Sequence, residues 1–364
     1  MEDKKTLLVA SSVYHLLTAV NLKHTRLGAE EADLVVTDLT PSLPGLIPRL
    51  RKTGLFSRVI PAHVRELSGE YPMDREEEVA RCFEERDQVL RWVLGKELEP
   101  GYRQVIFPNF DWLSRLLACR YRQTPFYWME DGFSSYVIDF LRKDRAAVNR
   151  HPLAGELAGA LAGVLLYEPR LAMRGDGVPN LPLPKLSPED RELRGKLNFI
   201  FDYHSPRNLP SFLFLEQSFR AEGISSNDLE LMEECQQTVG ESRFGVKPHP
   251  RNGDHLPWQL GLSPKVVLEA PWELVLLNEG PNRCTVLTVC SNGALSGRLC
   301  LGLDQNTVLL YKLFRGKVLW KEDRQLTRYL ETYRRQFAGK NTYVPETVYE
   351  LRSILNYLGG SYGK

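Results

Sequence analysis

Residues 104–132 read QVIFPNFDWLSRLLACRYRQTPFYWMEDG. Gln104 to Phe107 is a short apolar run stopped by Pro108-Asn109, and Trp112 to Cys119 carries apolar residues at helical spacing. Pro125 to Met129 is a second apolar run, followed at once by Glu130-Asp131-Gly132. Strand, helix and strand within thirty residues, with polar residues just past each strand, is the mark of a parallel α/β sheet. In such sheets ligands sit beyond the carboxyl ends of the strands. That rule directs attention to Asp131, which a glycine turn would aim outward.

The alternation extends in both directions. Leu7 to Ala10 is a buried strand ended by Ser11-Ser12, and Val13 to Lys23 a helix. Asp33 to Thr37 is a second strand and Val59-Ile60 a third. Asp74 to Leu98 is charged and amphipathic, which predicts one long surface helix. Residues 168–198 contain five prolines and little periodicity, and read as an excursion or linker. The pattern then restarts. Phe212 to Leu215 is a strand, Ser226 to Val239 a helix capped by Ser226 or Asn227, and Arg243 to Val246 a strand ending at Lys247-Pro248-His249-Pro250. Val266 to Leu268 is a short strand, and Trp272 to Leu277 a helix. Cys284 to Val289 is a strand ending at Cys290-Ser291-Asn292-Gly293, and Thr307 to Tyr311 closes the sheet. Leu326 to Gln336 and Pro345 to Leu358 are C-terminal helices. Two α/β units are therefore expected: 1–205, 206–338, and a helix over 339–364 that packs back across both.

A net charge of +1 on 364 residues supplies no global field for nucleic acid. The six cysteines form no C-x-x-C pair and sit in apolar runs, so they read as reduced, buried thiols. No zinc-ligand spacing, H-E-x-x-H or D-x-D occurs, which speaks against a tightly bound metal. The apolar stretch Thr6 to Ala10 is too short for a signal peptide. Leu153 to Tyr167 contains Glu156 and falls short of the ~20 residues that span a bilayer. A cytoplasmic protein is expected. Arg142-Lys143-Asp144-Arg145 reads as a solvated face, compatible also with peripheral contact with the inner membrane. A homodimer is compatible with the sequence as well.

Five groups of residues could carry chemistry. Asp131 could take a proton from a hydroxyl, and one member of the acidic pair Glu130-Asp131, beside the aromatic strand, could have a raised pKa. An acidic-Gly pair after a strand is equally a common turn. His249, stiffened by Pro248 and Pro250 and flanked by Lys247 and Arg251, suits a phosphate. Ser291-Asn292-Gly293 opens a helix, where backbone N–H groups favour an anion; an ordinary cap is the competing reading. Gln217 and Ser218 end the first strand of the second unit, where a base or ribose could be met. Ser12, Tyr14 and His15 follow the first strand and read either as an acceptor-side loop or as a helix cap with an aromatic below it.

In this order the motifs resemble the bacterial sialyltransferases of glycosyltransferase family 52 and the related polysialyltransferases. The resemblance runs through Ser12-Val13-Tyr14-His15, Glu130-Asp131-Gly132, Leu215-Glu216-Gln217-Ser218, Lys247-Pro248-His249-Pro250, Pro271-Trp272-Glu273-Leu274 and Cys290-Ser291-Asn292-Gly293. It implies a GT-B fold, two Rossmann-like domains facing across a cleft. It further implies an inverting, metal-independent enzyme that moves sialic acid from CMP-sialic acid to a glycan hydroxyl. The CMP-sugar is then a substrate, and no cofactor is needed. Asp131 would be the general base, and His249 would bind and protonate the leaving CMP phosphate with Lys247 and Pro250 beside it. Ser291, Asn292 and Gly293 would hold the phosphate, Gln217 and Ser218 the rest of the donor. Ser12, Tyr14, His15, Glu130 and Gly132 would lie on the acceptor side. One departure stands out: the family's second hydroxyl is an amide here, Asn292. A CMP-Kdo or UDP-sugar transferase, or a non-catalytic binding protein on the same scaffold, remains an alternative.

Overall fold

The computed structural model describes residues 4–95, 98–249, 251–253, 255–262, 270–316 and 324–361. The chain forms two compact units. Unit 1 runs to Pro184 and includes Gly195–Phe201; unit 2 comprises Lys185–Arg194 and the chain from Asp202 onward.

Unit 1 is a seven-stranded sheet: β1 (Thr6–Ala10), β2 (Ala32–Thr37), β3 (Arg58–Ala62), β4 (Gln104–Phe107), β5 (Phe126–Met129), β6 (Leu161–Leu166) and β7 (Asn180–Pro182). Their order is β3-β2-β1-β4-β5-β6-β7, and every pairing is parallel. The inner strands are apolar without alternation because helices cover both faces, as β1 (TLLVA) and β2 (ADLVVT) show by complete burial. The direction of strand succession reverses between β1 and β4, and that switch point is where an open sheet leaves a crevice.

Unit 2 is a five-stranded parallel sheet built from β8 (Phe212–Leu215), β9 (Phe244–Lys247), β10 (Thr285–Thr288), β11 (Thr307–Leu309) and β12 (Thr342–Tyr343), in the order β12-β11-β10-β8-β9. Its switch point lies between β8 and β10. The C-terminal helix Val348–Ser361 lies against the helix Asp228–Val239 of the same unit. Among the described residues no helix is long and apolar enough to cross a membrane. All six cysteines are free and buried, two in unit 1 and four in unit 2.

Several expectations need correction. Residues 74–98 do not form one helix: Glu76–Glu84 and Arg86–Leu94 are separate, broken at Glu85. Glu85 leaves the helical region at φ −86°, ψ 7°, and its Oε2 accepts the Tyr71 hydroxyl at 2.6 Å. Residues 168–198 are not a linker, since they contain β7 and most of the helix Arg191–Phe201. Gly163 of β6 permits the close approach of β7, for a Cβ there would stand 2.7 Å from Leu181 Cδ1. Pro182 is tolerated because β7 is an edge strand. β11 does not close its sheet, because β12 pairs outside it. The helix expected from Ser226 begins at Asp228, and the side chain of its cap Asn227 bonds Leu313 O and Arg315 N instead of the helix. The strand expected over Val266–Leu268 lies outside the described residues, as does Pro250.

Candidate functional site

In unit 1 the chosen residues converge at the switch point. Ser12 ends β1 in extended conformation, and its hydroxyl accepts His15 N–H at 3.2 Å, capping the helix Val13–Leu22. That first turn places Tyr14 and His15 over the end of β5. The Tyr14 hydroxyl donates to Glu130 Oε1 at 2.9 Å, and His15 Nε2 stands 2.7 Å from Asp131 Oδ1. From the end of β4 the Asn109 amide, with its nitrogen toward Asp131, donates to Oδ2 at 3.1 Å and to Pro108 O at 3.1 Å. Asp131 is thus held by one donor from the end of β1 and one from the end of β4, yet its side chain stays 42% exposed.

Glu130, expected on the acceptor side, points the other way. It is fully buried and accepts from Tyr14, from the Tyr136 hydroxyl at 2.5 Å and from Tyr167 N–H at 2.8 Å. These three donors favour the carboxylate, but burial outweighs them and pushes its pKa up to about 7. The raised member of the acidic pair is therefore the interior one. The outward turn of Asp131 needs Gly132, which takes the left-handed conformation at φ 66°. The loop is braced from behind: Asp131 N–H donates to Ser135 Oγ at 2.7 Å, and Arg174 Nη1 donates to Ser135 O. Arg174 is buried and also bonds Asp176 Oδ2 at 2.9 Å, while Met173 N–H reaches Tyr136 O at 2.7 Å. The irregular segment after β6 is a strap on the loop that carries Asp131.

In unit 2 the motifs again meet at strand ends. Glu216, just past β8, is buried; its Oε2 accepts His249 N–H at 2.8 Å and its Oε1 accepts Arg220 Nη2 at 2.6 Å. Gln217 spans the switch point, with Oε1 accepting Cys290 N–H at 2.8 Å. Its amide side chain is thereby engaged within the protein rather than offered to a ligand. Ser218 is likewise occupied, donating to Glu222 Oε1 at 2.7 Å and accepting from Arg251 Nη2 at 3.0 Å. His249 Nδ1 accepts Arg251 N–H at 3.2 Å, so the ring carries its proton on Nε2. Burial, helped by Arg251 and Lys247, lowers its pKa to about 4. At neutral pH it is a neutral hydrogen-bond donor, not a proton source. Lys247 is lowered by burial as well, with Glu273 opposing.

Ser291 caps the helix Asn292–Leu299, its hydroxyl accepting Gly293 N–H at 3.4 Å. Space at Gly293 is tight: a Cβ would lie 3.2 Å from Leu215 Cδ1. Asn292 Oδ1 and the indole Nε1 of Trp272 are buried and have no hydrogen-bond partner among the described residues. Among those residues no group of three or more His, Cys, Asp or Glu side chains is arranged to hold a metal ion. Sequence reasoning assigned no role to Asn109 or Glu216. The signal for Asn109 was its place immediately after β4, and for Glu216 its place immediately after β8.

No family model matches the chain, and no curated protein matches it in sequence. Solved structures do. Arabidopsis thaliana UGT89C1 complexed with UDP-L-rhamnose is similar over 99% of this chain and 90% of its own, at 12% identity and a TM-score of 0.51. An alpha/beta-galactoside alpha-2,3-sialyltransferase from the marine bacterium Photobacterium phosphoreum is similar over 95% of this chain and 99% of its own, at 9% identity and a TM-score of 0.49. MurG from Acinetobacter baumannii is similar over 98% and 94%, at 9% identity and a TM-score of 0.45. The fold is the GT-B glycosyltransferase fold, with two parallel-sheet Rossmann-like domains.

Proposed function

We propose that the protein is an inverting glycosyltransferase that moves sialic acid from CMP-sialic acid to a hydroxyl of a glycan. The observation that carries the reading is Asp131, a half-exposed carboxylate fixed by His15 and Asn109 at a topological switch point. It has the exposure and the fixed direction that a general base requires. The order of motifs shared with family 52 supports the same assignment. In the reaction the acceptor O–H bond breaks, its proton passes to Asp131, and the oxygen attacks the anomeric carbon. The bond from that carbon to the phosphate oxygen breaks, and its electron pair leaves with CMP. His249 Nε2–H and the first N–H groups of the helix Asn292–Leu299 are the donors on which that charge would settle. His249 then serves by hydrogen bonding, with its direction fixed by Glu216 and Arg251. The reaction proceeds without a metal cofactor.

A second reading is a UDP-sugar or CMP-Kdo transferase. It is favoured by Asn292, an amide where the family has a hydroxyl, whose Oδ1 has no hydrogen-bond partner among the described residues. A thermal-shift panel of CMP, UMP, UDP and GDP, with and without magnesium, separates a CMP-sugar enzyme from a UDP-sugar enzyme, and competition by CMP-Kdo against CMP-sialic acid then separates the two CMP-sugars. A ligand at a hundredfold excess over Kd stabilises the native state by ~2.7 kcal/mol. A shift with CMP that ignores magnesium supports the CMP-sugar reading. A shift with UDP or GDP alone refutes it.

A further inference from the structure

His15 is only 2% exposed, whereas the carboxylate it contacts is 42% exposed. Exposure fixes the order of the pair: Asp131 faces outward and the imidazole lies behind it. No second hydrogen bond fixes the tautomer, because Nδ1 is buried without a hydrogen-bond partner among the described residues. An Nδ1–H tautomer would turn a lone pair on Nε2 toward an ionised oxygen 2.7 Å away. An ionised Asp131 therefore demands Nε2–H, and its charge alone selects the tautomer.

Several charged or titratable groups face this ring. Asp131 comes from the loop after β5. Asp111, the cap of the helix Trp112–Arg120, lies within electrostatic reach, and burial pushes its carboxyl up. Arg115, one turn further on, acts on Asp111, and Glu130 sits beyond Tyr14.

We infer that His15 is a positioning residue for the base: it donates Nε2–H to Asp131 Oδ1 and holds that carboxylate turned outward toward the acceptor. The inference rests on the reading of Asp131 as the base. It differs from the expectation that His15 meets the acceptor, which its burial opposes. During transfer the acceptor proton goes to Asp131 and the Nε2–H bond stays intact, so no further proton acceptor is required.

The test has two arms. Imidazole 15N–1H spectra of the full chain without nucleotide report the tautomer, His15 being assigned by its loss in His15→Gln. The expected wild-type signal is an Nε2-protonated ring with a solvent-protected N–H. That protection should vanish in Asp131→Ala, a change at a half-exposed side chain. A ring protonated on Nδ1, or one indifferent to Asp131→Ala, overturns the inference. In the kinetic arm His15→Ala should lower kcat by about 10²-fold with KM little changed, in the range expected when a reacting group is misplaced. His15→Gln, which keeps an N–H donor, should recover part of that loss. An unchanged kcat in His15→Ala, or a loss that His15→Gln does not recover at all, refutes the positioning role. A coupled ring with no transfer from CMP-sialic acid sinks the transfer reading and leaves the pair standing. Transfer with an uncoupled ring does the reverse.

Discussion

Replacing Glu130 by glutamine should make unit 1 more tolerant of high pH. In the folded protein Glu130 titrates at about 7, against an ordinary 4.5, chiefly because burial penalises its charge. Between those values the native state keeps a proton that the unfolded chain has released, so stability falls as pH rises. At ~1.4 kcal/mol per unit the full loss is about 3 kcal/mol, complete just above pH 7. Glutamine loses none of this. Its Oε1, in the place of Glu130 Oε2, still accepts from Tyr136 and Tyr167 N–H, and its Nε2 can donate to the Tyr14 hydroxyl, which reverses its role. Urea unfolding of wild type and Glu130→Gln at pH 4.5 and pH 8 isolates the effect, since every other titrating group cancels between them. The variant should gain about 3 kcal/mol on wild type between the two pH values. An equal difference at both would show that Glu130 does not titrate in this window. A gain by wild type at high pH would show that the three donors outweigh burial.

Further outcomes are expected in binding and turnover. Asp131→Ala should reduce transfer by ~10²- to 10⁴-fold, the usual range for a general base, with CMP affinity little changed in calorimetry. His249→Ala should weaken CMP by ~1.5–3 kcal/mol, the worth of a hydrogen bond to a charged group; unchanged affinity would remove His249 from the phosphate. Glu216→Ala strips the buried acceptor from both His249 N–H and Arg220, and should cost about 3 kcal/mol in unfolding while also weakening CMP. Gly132→Ala forces a side chain into the left-handed region at a cost of ~1–2 kcal/mol, and should lower turnover more than CMP binding.

Much of the fold was legible because parallel strands are continuous apolar runs, and the residue after each run is polar for a reason a sequence can show. β1, β2, β4, β5, β8, β9 and β10 were all readable in this way. The short edges were not. β7 spans three residues with a proline, and β12 two residues, so neither carries a period. At the break, Glu85 bonds Tyr71, fourteen positions earlier in the chain, and no helical pattern records that bond. For the site, the sequence located Asp131 and His249 at strand ends but not what holds them. His15 and Asp131 are 116 positions apart, and Glu216 and His249 are 33 apart. Such pairs exist only once strand order is known. Gln217 shows the opposite limit: the correct strand end, with its amide engaged by Cys290.

The buried thiols give the molecule its own clock. Burial raises the pKa of Cys82, Cys284 and Cys290 to about 12 each, so little thiolate exists at neutral pH and an alkylating reagent must wait for the chain to open. Cys82 and Cys119 then time the breathing of unit 1, and Cys235, Cys284, Cys290 and Cys300 that of unit 2. Cys290 lies two residues past β10 beside the helix cap Ser291, held there by Gln217. Its labelling rate, followed site by site in a mass spectrometer, would register occupancy of that strand end with no substrate analogue and no engineered probe.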